Sequence, residues 1–228
     1  MASTYTDLGI ELMVTGENAG TWGTKTNNNL NLIEQLTGGF ATLSIAGGAG
    51  TQNLDIDDGA LTGTAQQRII EFTGSITGNR IITIPNDVET FYILKNSTSG
   101  AYTVQFKYLT GSGSSTTFSA TYKGIKTVYA SANDGTNPDI VDVMANSSEI
   151  VLANNNPIKF NDAHNSAFVG IDAPATVSGS YTLTLPAAVG SASQALVTTD
   201  GAGTLGFTST STFGITTGKA IAMAIVFG

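Results

Sequence analysis

Cysteine is absent from the 228 residues, which excludes disulfides, thiol nucleophiles and Cys-ligated metal. Histidine and tryptophan occur once each, as His164 and Trp22. A lone histidine without a Gly-x-Ser-x-Gly elbow gives no Ser-His-Asp machinery. Charged residues are only 11% of the chain, against about 25% in an average soluble domain. The nine Lys and Arg are scattered, and the net charge is −8. No basic stripe exists to neutralise phosphates, so nucleic acid is not an expected partner. The opening "MASTYTDLGIEL" has neither a basic nor an apolar leader region and does not read as a signal peptide. The longest apolar run, "AIAMAIVF" from Ala220 to Phe227, is far short of the roughly 20 residues a membrane helix needs, so membrane insertion is not expected.

What is present is a neutral-polar chain with 27 glycines and 41% hydrophobic residues, enough apolar content to form a core. Low charge suits long-lived β-structures with large subunit contacts, where unpaired buried charge is costly. The middle of the sequence carries strand-length runs rich in Ile, Val, Thr, Tyr and Phe: "RIIEFTG", "RIITIP", "TFYILKN", "YTVQFKYL", "STTFSATY" and "KTVYASA". In "YTVQFKYL", Tyr102, Val104, Phe106 and Tyr108 alternate with Thr103, Gln105 and Lys107, the pattern of a half-buried antiparallel strand. The expected fold class is mainly β. It comprises a short N-terminal helical attachment segment (1–46), an antiparallel β-sandwich-like module (47–146) and a turn-rich C-terminal β region (147–228) completed by trimerisation.

The one helical signal lies in "GENAGTWGTKTNNNLNLIEQL". Leu30, Ile33 and Leu36 recur at three-residue steps with Leu32 beside them, Asn27 to Asn29 offer an N-cap, and Gly38-Gly39 offers a stop. A helix of about ten residues is marginal alone in water, so it must pack on its own domain or on a partner. Trp22 between glycines is either a docking anchor or an ordinary core residue.

The region after Ser147 has short strands and frequent turns, and gathers little core from itself. "NRIITIP" and "SYTLTLP" echo one another, each running a strand into a proline, although no fixed period is found. "GKAIAMAIVFG" at the end reads as an apolar strand that must be covered. His164 with Asp162 reads as a turn or surface histidine, with a metal on a trimer axis as the alternative. "NLDIDDGALTG" (53–63) resembles part of an EF-hand loop, but its spacing departs and the closing Glu is missing, which favours a solvated turn. "NDGTNPD" and "TDGAGTLG" read as hairpin turns. Neither a carboxylate pair in an aromatic groove nor a nucleotide loop is visible, so no catalytic, cofactor-binding or metal residue is assigned.

Three stretches carry a family likeness. "LGIELMVTGENAGTWGTKTNNNLNLIEQLTGG" resembles the opening of tail-fibre and other virion structural proteins of tailed bacteriophages, particularly those of marine bacteria. The stretch from "TGNRIITIPN" through "KNSTSGAYTVQFK" to "ASANDGTN" resembles a β-module of phage fibres. "YTLTLPAAVGSASQALVTTDGAGTLGF" is similar to a fibre-shaft pattern of a "TLP" strand followed by a "TDGxGxL" turn. The resemblance implies a non-enzymatic, cofactor-free homotrimer on the virion. It would dock to other virion proteins through its N-terminus, with Trp22, Leu30, Ile33 and Leu36 as candidate interface residues. Its distal part would face a host polysaccharide or receptor. A capsid-decorating head fibre, an adaptor protein and a glycan-binding module are the other readings.

Overall fold

The computed structural model describes residues 3–121, 123–132, 136–152 and 156–213. They fall into two compact units, Met1–Ile150 and Val151–Gly228. In chain order the first unit holds β1 (Thr4–Tyr5), β2 (Glu11–Leu12), α1 (Trp22–Gly38), β3 (Phe40–Ser44), β4 (Gly50–Asn53), β5 (Ile69–Thr73) and β6 (Arg80–Ile84). It continues with β7 (Thr90–Asn96), β8 (Val104–Tyr108), β9 (Thr116–Phe118), β10 (Ile125–Ala130) and β11 (Ile140–Asp142). Each of the six strand-like runs of the middle sequence contains a strand, and the protein is mainly β.

Strand direction departs from the expectation. The four-stranded sheet runs β4-β6-β8-β9 and the five-stranded sheet runs β11-β10-β7-β5-β3. Within them β3, β5 and β7 are parallel in register, as are β4, β6 and β8. The chain therefore alternates between the sheets and advances one strand on each return, making three stacked coils. Within these two sheets antiparallel pairing is confined to one end, where β9, β10 and β11 close the coils; β1 and β2 form a separate antiparallel pair. Alternation in "YTVQFKYL" reports that one face is buried and is silent about the neighbour's direction. Parallel neighbours need a long crossover, which here is the strand in the opposite sheet.

The sheets share one core. Ile70, Phe72, Tyr92 and Leu94 come from one, and Ile82, Ile84, Val104, Phe106 and Tyr108 from the other. Phe106 meets Tyr92 edge-on at 5.5 Å between ring centroids and Phe72 at 6.4 Å. Both buried phenols are satisfied, Tyr92 donating to the Ala65 carbonyl (2.8 Å) and Tyr108 to that of Val88 (2.7 Å). The coil corners stack closely: a Cβ on Gly100, whose φ is +97°, would lie 2.1 Å from the Ile76 carbonyl oxygen.

The second unit holds β12 (Ile158–Asn161), β13 (Phe168–Ile171), β14 (Gln194–Thr198), β15 (Leu205–Ser209) and a 3-10 turn at Thr210–Phe213. The strands form two separate two-stranded hairpins. Among its described residues not one is buried. "TDGAGTLG" is the turn of the second hairpin, where the Asp200 carboxylate accepts the N–H groups of Ala202 and Thr204. "SYTLTLP" makes only an isolated bridge, Thr184 to Thr204, whereas its echo "NRIITIP" is the buried strand β6. The tail "GKAIAMAIVFG" and the Asp134-Gly135 turn lie outside the described residues.

Candidate docking surfaces

α1 has 17 residues and begins at Trp22, not in the Asn run. Thr21 occupies the N-cap position without a side-chain bond, and the Gly39 N–H donates to the Gln35 carbonyl at the other end (2.8 Å). Asn27 to Asn29 therefore stand mid-helix, where asparagine is a mediocre helix former.

Carboxamides repay this by fastening the helix to the chain around it. Asn29 bonds the Glu11 backbone twice, its Oδ1 accepting the N–H (3.0 Å) and its Nδ2 donating to the carbonyl (2.9 Å). Asn28 donates to the Gly59 carbonyl (2.6 Å) and Gln35 to that of Leu61 (3.3 Å). Lys25 closes an ion pair of 2.9 Å with the buried Glu11. Its hydrogen bond and charge hold the Glu11 carboxyl below its usual range, while the same pairing raises Lys25.

The acidic stretch is part of this platform rather than a merely solvated turn. Asp55 accepts the Thr64 N–H (3.0 Å), and its contacts with Thr64, the hydroxyl first, hold its carboxyl low. Gln66 links the Leu8 carbonyl to both polar groups of the Asp57 backbone, at 3.0 to 3.3 Å. The loop thereby presents the Gly59 and Leu61 carbonyls to α1.

The four candidate interface residues differ in exposure. Leu36 is buried with Leu32. Trp22, Leu30 and Ile33 are 65%, 58% and 48% exposed. At 100° per residue, Ile33 lies about 20° and Leu30 about 80° around the axis from Trp22, so the three form one stripe. α1 thus departs from a single buried apolar face. Leu32 and Leu36 are buried on the side where the carboxamides of Asn28 and Asn29 bond the unit, while Trp22, Leu30 and Ile33 stay exposed. The anchoring roles of Asn28, Asn29 and Gln35 were missed in the sequence, where their only signal is the density of carboxamides in "TNNNLNLIEQL", and that of Lys25 has no signal there.

Elsewhere, His164 is exposed in the turn between β12 and β13, its N–H donating to Asp162 Oδ1 (3.2 Å). Asp162 also accepts the Ser166 N–H and hydroxyl. Among the described residues no three His, Asp or Glu side chains are placed to hold a metal, and no helix is long and apolar enough to cross a membrane. A cleft of about 460 Å³ lies beside Phe91 and Tyr129, with Asp7 and Glu89 on its rim. Comparison with protein-family models, curated proteins and solved structures finds no match to this chain.

Proposed function

We propose that the chain is a non-enzymatic structural subunit of a tailed-bacteriophage virion. In this reading it is a homotrimeric tail fibre or fibre component that docks to another virion protein through the outer face of α1. Its β-rich remainder projects toward a host-surface polysaccharide or receptor.

The observation that carries the docking claim is the apolar stripe that α1 leaves exposed. Trp22, Leu30 and Ile33 stand in solvent, while Leu32, Leu36 and the carboxamides of Asn28 and Asn29 hold α1 to its own unit. Fully burying such side chains contributes about 1.5–3 kcal/mol each. Threefold repetition would multiply the contact without further sequence. Leu36 fastens the helix and is not part of the docking face. Trimerisation is supported by the second unit, since isolated two-stranded hairpins are marginal in water and this unit buries none of its described residues. Identical copies are the simplest source of the missing contacts.

The test is incorporation into particles. W22S and I33S, each on the exposed stripe, should leave a folded protein that is depleted from particles, with N31S, also exposed on α1, as control. Equal incorporation of all three would overturn the docking claim. Labelling the wild type on intact particles then separates a tail location from a capsid one.

A further inference from the structure

The outer faces of the two sheets in the first unit differ. On the four-stranded sheet, strand register aligns Thr51, Ile81, Gln105 and Thr117 in one row and Asn53, Thr83 and Lys107 in another, in which the buried Thr83 donates to Asn53 Oδ1 (2.8 Å). Such a face is mostly polar and suits solvent. On the five-stranded sheet, register aligns Phe40, Ile69 and Ile93 across three strands, ending on Thr127. Phe91 and Tyr129 pair in the adjacent row, with ring centroids 5.9 Å apart. Ile125 stands in the row on the other side and is 67% exposed.

We infer that this outer face is a contact between copies of the chain, an inference that rests on the homotrimer reading above. The choice of an identical copy as occupant comes from charge. The whole chain carries −8, so two arbitrary surfaces of it repel. Glu71 and Lys95 are the only charged side chains in these rows and neutralise one another across 2.8 Å. Like rows therefore meet without net repulsion at their centre, and the carboxylates of Asp7 and Glu89 lie at the margin, in the cleft beside Phe91 and Tyr129. Arg68 lies at the margin and is committed to the Phe91 carbonyl (2.6 Å).

The size of the face limits what it does. Five strands about 4.8 Å apart and about five residues long present about 400 Å² in projection. A standard interface takes about 800 Å² from each partner. The face therefore adds to an assembly held elsewhere as well, and disrupting it weakens the trimer without abolishing it.

The experiment is sedimentation equilibrium of the full chain across a dilution series, comparing wild type with I93K, I125K and I81K. Ile81 sits on the polar sheet and is the control. For I93K and I125K the concentration at which half the trimer dissociates should rise tenfold or more, with I81K unchanged. Should I93K fail to fold, I125T tests the face from a side chain too exposed to matter to the core. A trimeric wild type whose face variants dissociate as it does would overturn this inference alone. A wild type that is monomeric throughout would overturn the homotrimer reading as well.

Discussion

Asn29 clamps the backbone of Glu11 from both sides, its carboxamide accepting the N–H at 3.0 Å and donating to the carbonyl at 2.9 Å. A side chain of α1 thus completes hydrogen bonds at a strand residue, and the helix is oriented by polar contacts. Leu32 and Leu36 are buried beneath it, and Trp22, Leu30 and Ile33 stay outside.

Replacing Asn29 with Ala should free α1 locally while the coils stay folded. Two backbone groups lose their partner, a loss of about 1–3 kcal/mol for a buried group. Amide exchange in residues 22–38 should accelerate in N29A, with the strands unchanged. N31A, at an exposed position on the same helix, should match wild type.

Phe106 joins the sheets through Phe72 and Tyr92. F106A should cost about 3–5 kcal/mol. Chemical denaturation should record a lower midpoint with little change in slope.

G100A meets two obstacles, a φ of +97° and the Ile76 carbonyl oxygen 2.1 Å from the new Cβ. It should destabilise the coil stack by more than the roughly 1 kcal/mol that left-handed backbone alone costs an L-residue. A loss of thermal stability greater than that of G16A, a positive-φ glycine with open space around it, checks the steric part.

Stability should fall at both ends of the pH scale. Burial pushes the Tyr108 hydroxyl up to about 12 from an ordinary 10.0 and raises Tyr92 as well. A raised folded pKa gives stability that is full below pH 10 and lost as pH climbs through the folded values. Glu11, Asp55 and Glu71 are held low, chiefly by Lys25, Thr64 and Lys95 respectively. Their contribution is present above their ordinary values, 3.8 for the Asp and 4.5 for the two Glu, and is lost as pH falls through the lowered ones. Denaturation midpoints measured from pH 2 to 12 should be flat between about 5 and 10 and drop on both sides.

Much of the fold was legible because burial leaves a period-2 mark: Val104, Phe106 and Tyr108 alternate in sequence and are buried in the structure. The coils were not legible because their steps differ. Phe40 aligns with Ile69 after 29 residues, and Ile69 with Ile93 after 24. Much of the excess is the loop around Asp55 to Gly63, which carries α1. The helix stripe misled for a related reason. Periodicity groups Leu30, Ile33 and Leu36 by polarity and assumes that polar residues face water. Asn28, Asn29 and Gln35 face their own chain, so Leu36 goes in while Leu30 and Ile33 stay out.

Trp22 is the only tryptophan of the chain and lies in the tryptic peptide that ends at Lys25, so its oxidation can be read by mass spectrometry apart from other virion proteins. Hydroxyl-radical footprinting of that peptide, compared between the purified protein and the protein assembled on particles, tests the central claim most directly. A Trp22 oxidised readily in the free protein and protected on the particle is the predicted result. Equal oxidation in both states would contradict docking through α1.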